Sequence, residues 1–284
     1  FRSRIQCHPS SDNYSTTEEI RADDIVLDGD EVSETTSRIL TGTRDLPFAR
    51  SRNVGFKGIA MVPLTRYYAF LDGRQNLDVI PKLIEVNMNS GFFTTGEIVE
   101  GYVGTEKLIT FRLAQPNHRK GTYNSPTTFY DKNPYTPTVG ISSVYTESNT
   151  ILNVDMASLN NVAMSDYYGR IVKGMELKGL GNNASATISD VRLVSDVSGN
   201  IEGSFFIRNA YTTPPPALTF SNGLKTLRLT SSDTNSEPLP GSEDTSAGIT
   251  RGDAEYTTSA KIDTFTSTTT ITIRPEPRPQ PQEH

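Results

Sequence analysis

An all-β chain is what this sequence predicts, on three observations. Gly (21) and Pro (17) are abundant and Trp is absent, which favours many turns over a helical bundle. Short apolar stretches alternate with polar residues at a period of two, the period of half-buried strands. Turn signals such as Asp72-Gly73 and Asn89-Ser90-Gly91 punctuate them. The expected architecture is two immunoglobulin- or fibronectin-III-like sandwich modules, with an extended polar N-terminal arm and a Thr/Pro-rich C-terminal tail.

Residues 1–44 are polar and weakly patterned, with one short strand expected at Ile25-Val26-Leu27, and form the arm. The first sandwich is expected over 45–114. Val54, Phe56 and Met61 alternate with small or polar residues, and the run Met61 to Phe70 follows. Within that run Pro63, Thr65 and Tyr67 stand at every second position, the spacing of a tyrosine corner, in which a Tyr at a strand start bonds back to upstream backbone. Strands are expected at Leu83–Met88, Ile98–Val103 and Leu108–Leu113, with turns at Asn89–Gly91 and Gly101.

Residues 115–140 carry Pro116, Pro126, Pro134 and Pro137 among Asn, Tyr and Thr, a composition that opposes helix and central strand alike and reads as a linker. The second sandwich is expected over 141–230, with strands at Ile151–Val154, Arg170–Leu177, Ala186–Leu193, Gly203–Ile207 and Leu224–Leu229. The tail, 231–284, opens with a Ser/Thr/Asp/Pro loop and turns β-prone from Tyr256 to Ile273, with eight Thr among residues 257–272. That stretch has too few large apolar residues to form a core alone, so it is expected to complete a sheet in a partner chain. Pro275, Pro277, Pro279 and Pro281 give an extended polyproline-like end.

Several function classes are disfavoured. The net charge of −6 opposes non-specific nucleic-acid binding. No window reaches the roughly 18 uninterrupted apolar residues of a membrane span. Phosphate loops, dinucleotide fingerprints, nucleophile elbows and metalloprotease helices are all missing, so neither an enzyme nor a cofactor is expected. The single cysteine, Cys7, forms no internal disulfide, and beside His8 on a strand it faces the opposite way from that imidazole. The acidic run from Glu18 to Glu34, with Asp28, Asp30 and Glu31, lacks the frame of a calcium loop and reads as a solvated segment, with no metal expected. Arg251-Gly252-Asp253 reads as a turn. Tyr123, Phe129, Tyr130 and Tyr135 offer the aromatic faces on which a sugar ring stacks, or else pin the linker to its neighbours. The chain begins with Phe1 and looks like part of a longer one.

The order and spacing of several motifs resemble virion structural proteins of tailed bacteriophages, particularly those of cyanobacteria. They are Arg50-Ser51-Arg52, Phe56, the Met61-x-Pro63-x-Thr65-x-x-Tyr68-Ala69-Phe70-x-Asp72-Gly73 run, Ser90-Gly91-Phe92 and Tyr123-Asn124-Ser125-Pro126-Thr127. Leu152-Asn153-Val154-Asp155, Gly203 to Ile207 and Ala254-Glu255-Tyr256 continue the series, so the resemblance spans about residues 44–274. This chain has Leu71 where the family usually has a second Phe, and Thr122 where it has Gly. The resemblance implies a tail-fibre or baseplate-associated, non-enzymatic subunit of the virion or another extracellular filament. Its partners would be further copies, as a trimer or filament, and other virion proteins. The alternative is a carbohydrate-binding receptor or adhesion module for cell-surface glycans.

Overall fold

The computed structural model describes residues 3–28, 33–116, 122–124, 130, 132–160, 167–237 and 248–273. The fold is nearly all β, in several sheets. Four strands lie where a polar arm was expected: β1 (Arg4–His8), β2 (Ser11–Arg21), β3 (Ile25–Asp28) and β4 (Ser33–Asp45). Next come β5 (Arg52–Ile59), β6 (Arg66–Leu71), β7 (Asp78–Pro81), β8 (Leu83–Ser90), β9 (Ile98–Val103), β10 (Glu106–Arg112) and β11 (Ile151–Asn153). A five-residue helix, α1 (Met156–Asn160), precedes β12 (Glu176–Gly179), β13 (Ser185–Asp190), β14 (Leu193–Val194), β15 (Ile201–Ile207), β16 (Gly223–Thr230) and the 23-residue β17 (Arg251–Ile273).

The chain divides into two compact units, one of Phe1–Asp12 with Ala49–Thr258, the other of Asn13–Phe48 with Ser259–His284. The expected division into sandwiches at 45–114 and 141–230 is therefore corrected. Strands from both segments pair with each other throughout the larger unit. β15 is hydrogen-bonded between β5 and β7, and β12 and β13 sit between β9 and β8. Period-two patterning reports that a strand has a buried face, but not which strand lies beside it.

Two cores result. In the first, the four-stranded sheet β1-β5-β15-β7 and the strands β14, β6, β16 and the start of β17 bury a common cluster. Val54, Phe56 and Phe205 come from one sheet, and Tyr67, Leu227, Leu229 and Tyr256 from the other. The Phe205 and Tyr256 rings meet edge to face, their centroids 5.8 Å apart. Buried Asp12 pins the N-terminal segment to this layer, accepting bonds from Arg50 and, at 2.7 Å, from Arg52.

The second core fills a six-stranded antiparallel barrel of order β10-β9-β12-β13-β8-β11. Its two edge strands close on each other just beyond their ends. Leu113 bridges Val154, the Ala114 amide donates to the Asn153 carbonyl at 2.8 Å, and the Asp155 amide to the Arg112 carbonyl at 2.9 Å. Every second residue then points inward: Ile109, Phe111 and Leu113; Ile84 and Val86; Leu152 and Val154; Ala186 and Ile188. Gly101, expected as a turn, lies inside β9. A Cβ there would sit 2.5 Å from Met175 Sδ and 2.6 Å from Ile109 Cγ2, so close packing demands the glycine. The strand expected over Arg170–Leu177 begins only at Glu176, because Gly169 and Gly174 adopt positive φ before it.

Phe111→Ala removes a fully buried ring from the barrel interior and is expected to cost about 3–5 kcal/mol of unfolding free energy, read by chemical denaturation.

Candidate functional site

The smaller unit is the unusual part of the molecule. β4 runs antiparallel to β17 from Asp45 opposite Lys261 to Ser33 opposite Thr272, with a bulge where Gly42 and Leu40 face Thr264 and Phe265. β3 runs parallel to the end of β17, pairing Ile25 with Thr270 and Val26 with Ile271. Side chains knit these strands at the surface. Thr43 donates to Asp263 at 2.6 Å, Thr36 and Thr269 bond at 3.3 Å, and the Arg38 guanidinium lies 3.8 Å above the Phe265 ring. Every residue of β4 is exposed. Val26 is 61% and Ile39 63% exposed, and Ile20, Ile25, Leu40 and Ile273 also face solvent. None of the three hydrophobic clusters draws a described residue from this unit. A ribbon of two or three strands with no apolar layer against it is marginal in water. Its thirteen- and twenty-three-residue strands are held by backbone bonds and hydroxyl contacts, and several of its apolar side chains face solvent.

At the motif expected to be a tyrosine corner, the Val62 amide donates to the Tyr67 hydroxyl at 3.0 Å, five residues back along the chain. Thr65 donates its hydroxyl to the Pro63 carbonyl at 3.0 Å, closing the turn. Ser195 locks it from across the sheet, donating to the Val62 carbonyl at 2.6 Å and accepting the Thr65 amide at 3.0 Å. Sequence reading had no signal for Ser195, 130 residues away.

The four aromatic residues expected as a sugar platform do not form one among the described residues. Phe129 lies outside them. Tyr130 is buried beside Leu83 and Ile151, its hydroxyl donating to the Val194 carbonyl and accepting the Glu202 amide. Tyr135 packs against the same cluster and donates to the carbonyls of Leu83 at 2.7 Å and Arg192 at 3.0 Å. Tyr123 is part-exposed, but the Arg112 guanidinium stacks on it at 4.1 Å. Tyr130 and Tyr135 are thus tied to the barrel wall rather than open to a ligand. A different aromatic pair, the exposed Tyr168 and the half-buried Phe206, lies 6.2 Å apart in an open groove of about 800 Å³ that Arg170, Arg208 and Asn209 also line.

The remaining candidates are structural. Cys7 lies in the first core, where burial pushes its thiol up to about 12, while His8 points outward. Asp30 and Glu31 of the acidic run lie outside the described residues, and among those described no group of three His, Cys, Asp or Glu gathers as a metal site. Arg251-Gly252-Asp253 is not a turn but the beginning of β17, with Asp253 held by Arg228.

One buried polar cluster was invisible in the sequence. Lys82, between β7 and β8, is 1% exposed. It donates at 3.2 Å to both Asn124 Oδ1 and the Val154 carbonyl. Asn153 Nδ2 donates to the same Asn124 oxygen at 2.9 Å. Burial lowers the Lys82 pKa, partly offset by the charges of Glu202 and Asp155.

Comparison with protein-family models, with curated proteins and with solved structures returns no match.

Tyr67→Phe removes one buried hydroxyl and orphans the Val62 amide; a loss of about 1–2 kcal/mol in denaturant titration is expected, with the fold retained.

Proposed function

We propose that this chain is a structural, non-enzymatic subunit of a phage tail fibre, baseplate or similar extracellular filament. It assembles by lending its long strands to neighbouring subunits. The observation that carries this reading is the smaller unit: β4, β3 and the far half of β17 expose Val26, Ile39, Leu40 and Ile273 and have no core of their own. Such ribbons gain their apolar burial from a partner, and their unpaired edges offer main-chain hydrogen bonds to it. The two-sheet layer around Phe56, Phe205 and Tyr256, with its Tyr67 back-bond, serves in this reading as the immunoglobulin-like sandwich that carries the ribbon. The motif resemblance to tailed-phage virion proteins points the same way and sets the expected location, the virion or the cell exterior. Partners are further copies, in a trimer or filament, and other virion proteins.

Sedimentation equilibrium of the chain is expected to give a mass near three chains or larger. Ile39→Lys with Leu40→Lys, both solvent-exposed, should lower it to one chain without loss of the β circular-dichroism signal. A wild-type monomer of 31.2 kDa would overturn the proposal. A truncation used for the same purpose must stop after Thr258, because Ala254 and Tyr256 belong to the core of the larger unit.

A second reading, glycan binding, has the exposed Tyr168 and the half-buried Phe206 in its favour, since aromatic faces bordered by Arg and Asn suit a sugar ring and its hydroxyls. It predicts that Tyr168→Ala abolishes retention on a glycan array while leaving the mass in solution unchanged. Retention on no glycan by the wild type would sink it.

A further inference from the structure

Three side chains converge on the seam where the barrel closes, with a fourth, Glu202, close enough for its charge to act on Lys82, and their roles are complementary. Lys82 enters from the link between β7 and β8, Asn124 from the irregular crossing outside the barrel, Asn153 from β11 and Glu202 from β15. All are buried: 1% of Lys82, 4% of Asn124, 1% of Asn153 and 4% of Glu202 meets solvent. The Lys82 amine stands 3.2 Å from the Asn124 side-chain oxygen. From the other side, Asn153 Nδ2 donates to that oxygen at 2.9 Å. The Asn124 amide nitrogen donates to the Gln115 carbonyl at 3.3 Å, so its orientation is fixed.

We propose that Lys82 and Asn124 form an intramolecular isopeptide bond, a covalent staple between the barrel and the crossing that leaves it. The neutral Lys82 Nζ attacks Asn124 Cγ. Negative charge gathers on Oδ1, where the Asn153 donor holds it, the part an oxyanion hole plays. Nζ gives one proton to the Glu202 carboxylate, which returns it to the departing amide nitrogen. The Cγ–Nδ2 bond breaks, the Nζ–Cγ bond remains, and ammonia leaves. Atoms and charge balance with no oxidant or cofactor.

The surroundings favour each step. Burial lowers the Lys82 pKa and so supplies the unprotonated amine that a nucleophile needs. Glu202 is the carboxylate whose charge acts most strongly on Lys82, and its own ion pair, with Lys57, is long at 3.9 Å; Asp155 comes second and is held tightly by Arg112 at 2.7–2.8 Å. The two reacting groups are brought together by the fold rather than by diffusion, the largest advantage an uncatalysed amide exchange can be given. The proposal is independent of assembly, since every group lies in the larger unit of one chain.

The test is the intact mass of the full chain, unfolded and without reductant. The expected value lies below the sequence mass by one ammonia, about 17 Da. Proteolysis should yield a branched peptide containing both Lys82 and Asn124, with no tryptic cut after Lys82. Lys82→Arg should restore the sequence mass. Should that variant fail to fold, Glu202→Gln, nearly isosteric, is expected to fold and to remain at least tenfold less linked. The sequence mass in the wild type would overturn the proposal. So would a 17-Da loss confined to one unbranched peptide, which signals a succinimide. Full linkage in Glu202→Gln would overturn the role given to Glu202.

Discussion

The larger unit depends on one closure, the pairing of residues 112–114 with 153–155. A six-stranded sheet left open would carry two unpaired edges, at β10 and β11, and a row of unsatisfied amides beside an apolar interior. The bonds from Ala114 to Asn153 and from Asp155 to Arg112 join the two edges at that point, and Tyr168–Arg170 pair with β10 further along, at Leu108 and Thr110. The Tyr145 hydroxyl reinforces the seam, donating to the Ala114 carbonyl at 2.7 Å and accepting the Asn153 amide at 3.2 Å. With the wall complete, Phe111, Val99, Leu152 and Leu177 fill it from all sides, and the Lys82 cluster is sealed from water. Buried lysine is costly without partners, and two carbonyl-type acceptors with a nearby carboxylate make this one tolerable.

The two units satisfy their backbones in opposite ways. The larger excludes water with Phe, Leu, Ile and Tyr side chains and places its charges in pairs, as at Asp12 with Arg52 and Asp78 with Arg208. The smaller uses threonines, whose branched side chains suit extended backbone and whose hydroxyls bond across strands. Its β4 is exposed along the whole strand, while most of the far half of β17 is only partly buried. That contrast, more than any single residue, is what the proposed assembly role rests on.

Much of the β character was legible in the sequence because it is local. The apolar alternation at Val54 and Phe56 and the Asp72-Gly73 turn each report a neighbourhood of a few residues. The Pro63–Tyr67 spacing anticipated a bond spanning only five residues, from the Val62 amide to the Tyr67 hydroxyl. What the sequence hid is non-local. Nothing near Phe205 says that its strand lies beside Val54, and nothing near Lys82 announces Asn124 or Glu202. The same limit misled the reading of the aromatic linker. Tyr130 and Tyr135 look available in a proline-rich stretch, but Leu83 and Ile151 on the outer barrel wall claim their rings. The polar N-terminal segment read as an extended arm because β4 faces solvent throughout and the alternation of Ile5 and Cys7 in β1 spans only five residues.

The seam has a consequence for how such chains vary in length. The chain leaves the barrel after Ala114 and re-enters it through β11, whose Asn153 carbonyl accepts the Ala114 amide, so the points of exit and return are adjacent. Lengthening it at the exposed Ser142–Val144 segment moves no barrel strand. The entropy of closing a loop grows only with the logarithm of its size, about 0.6 kcal/mol for each doubling. An insert placed there is expected to leave the barrel core unchanged.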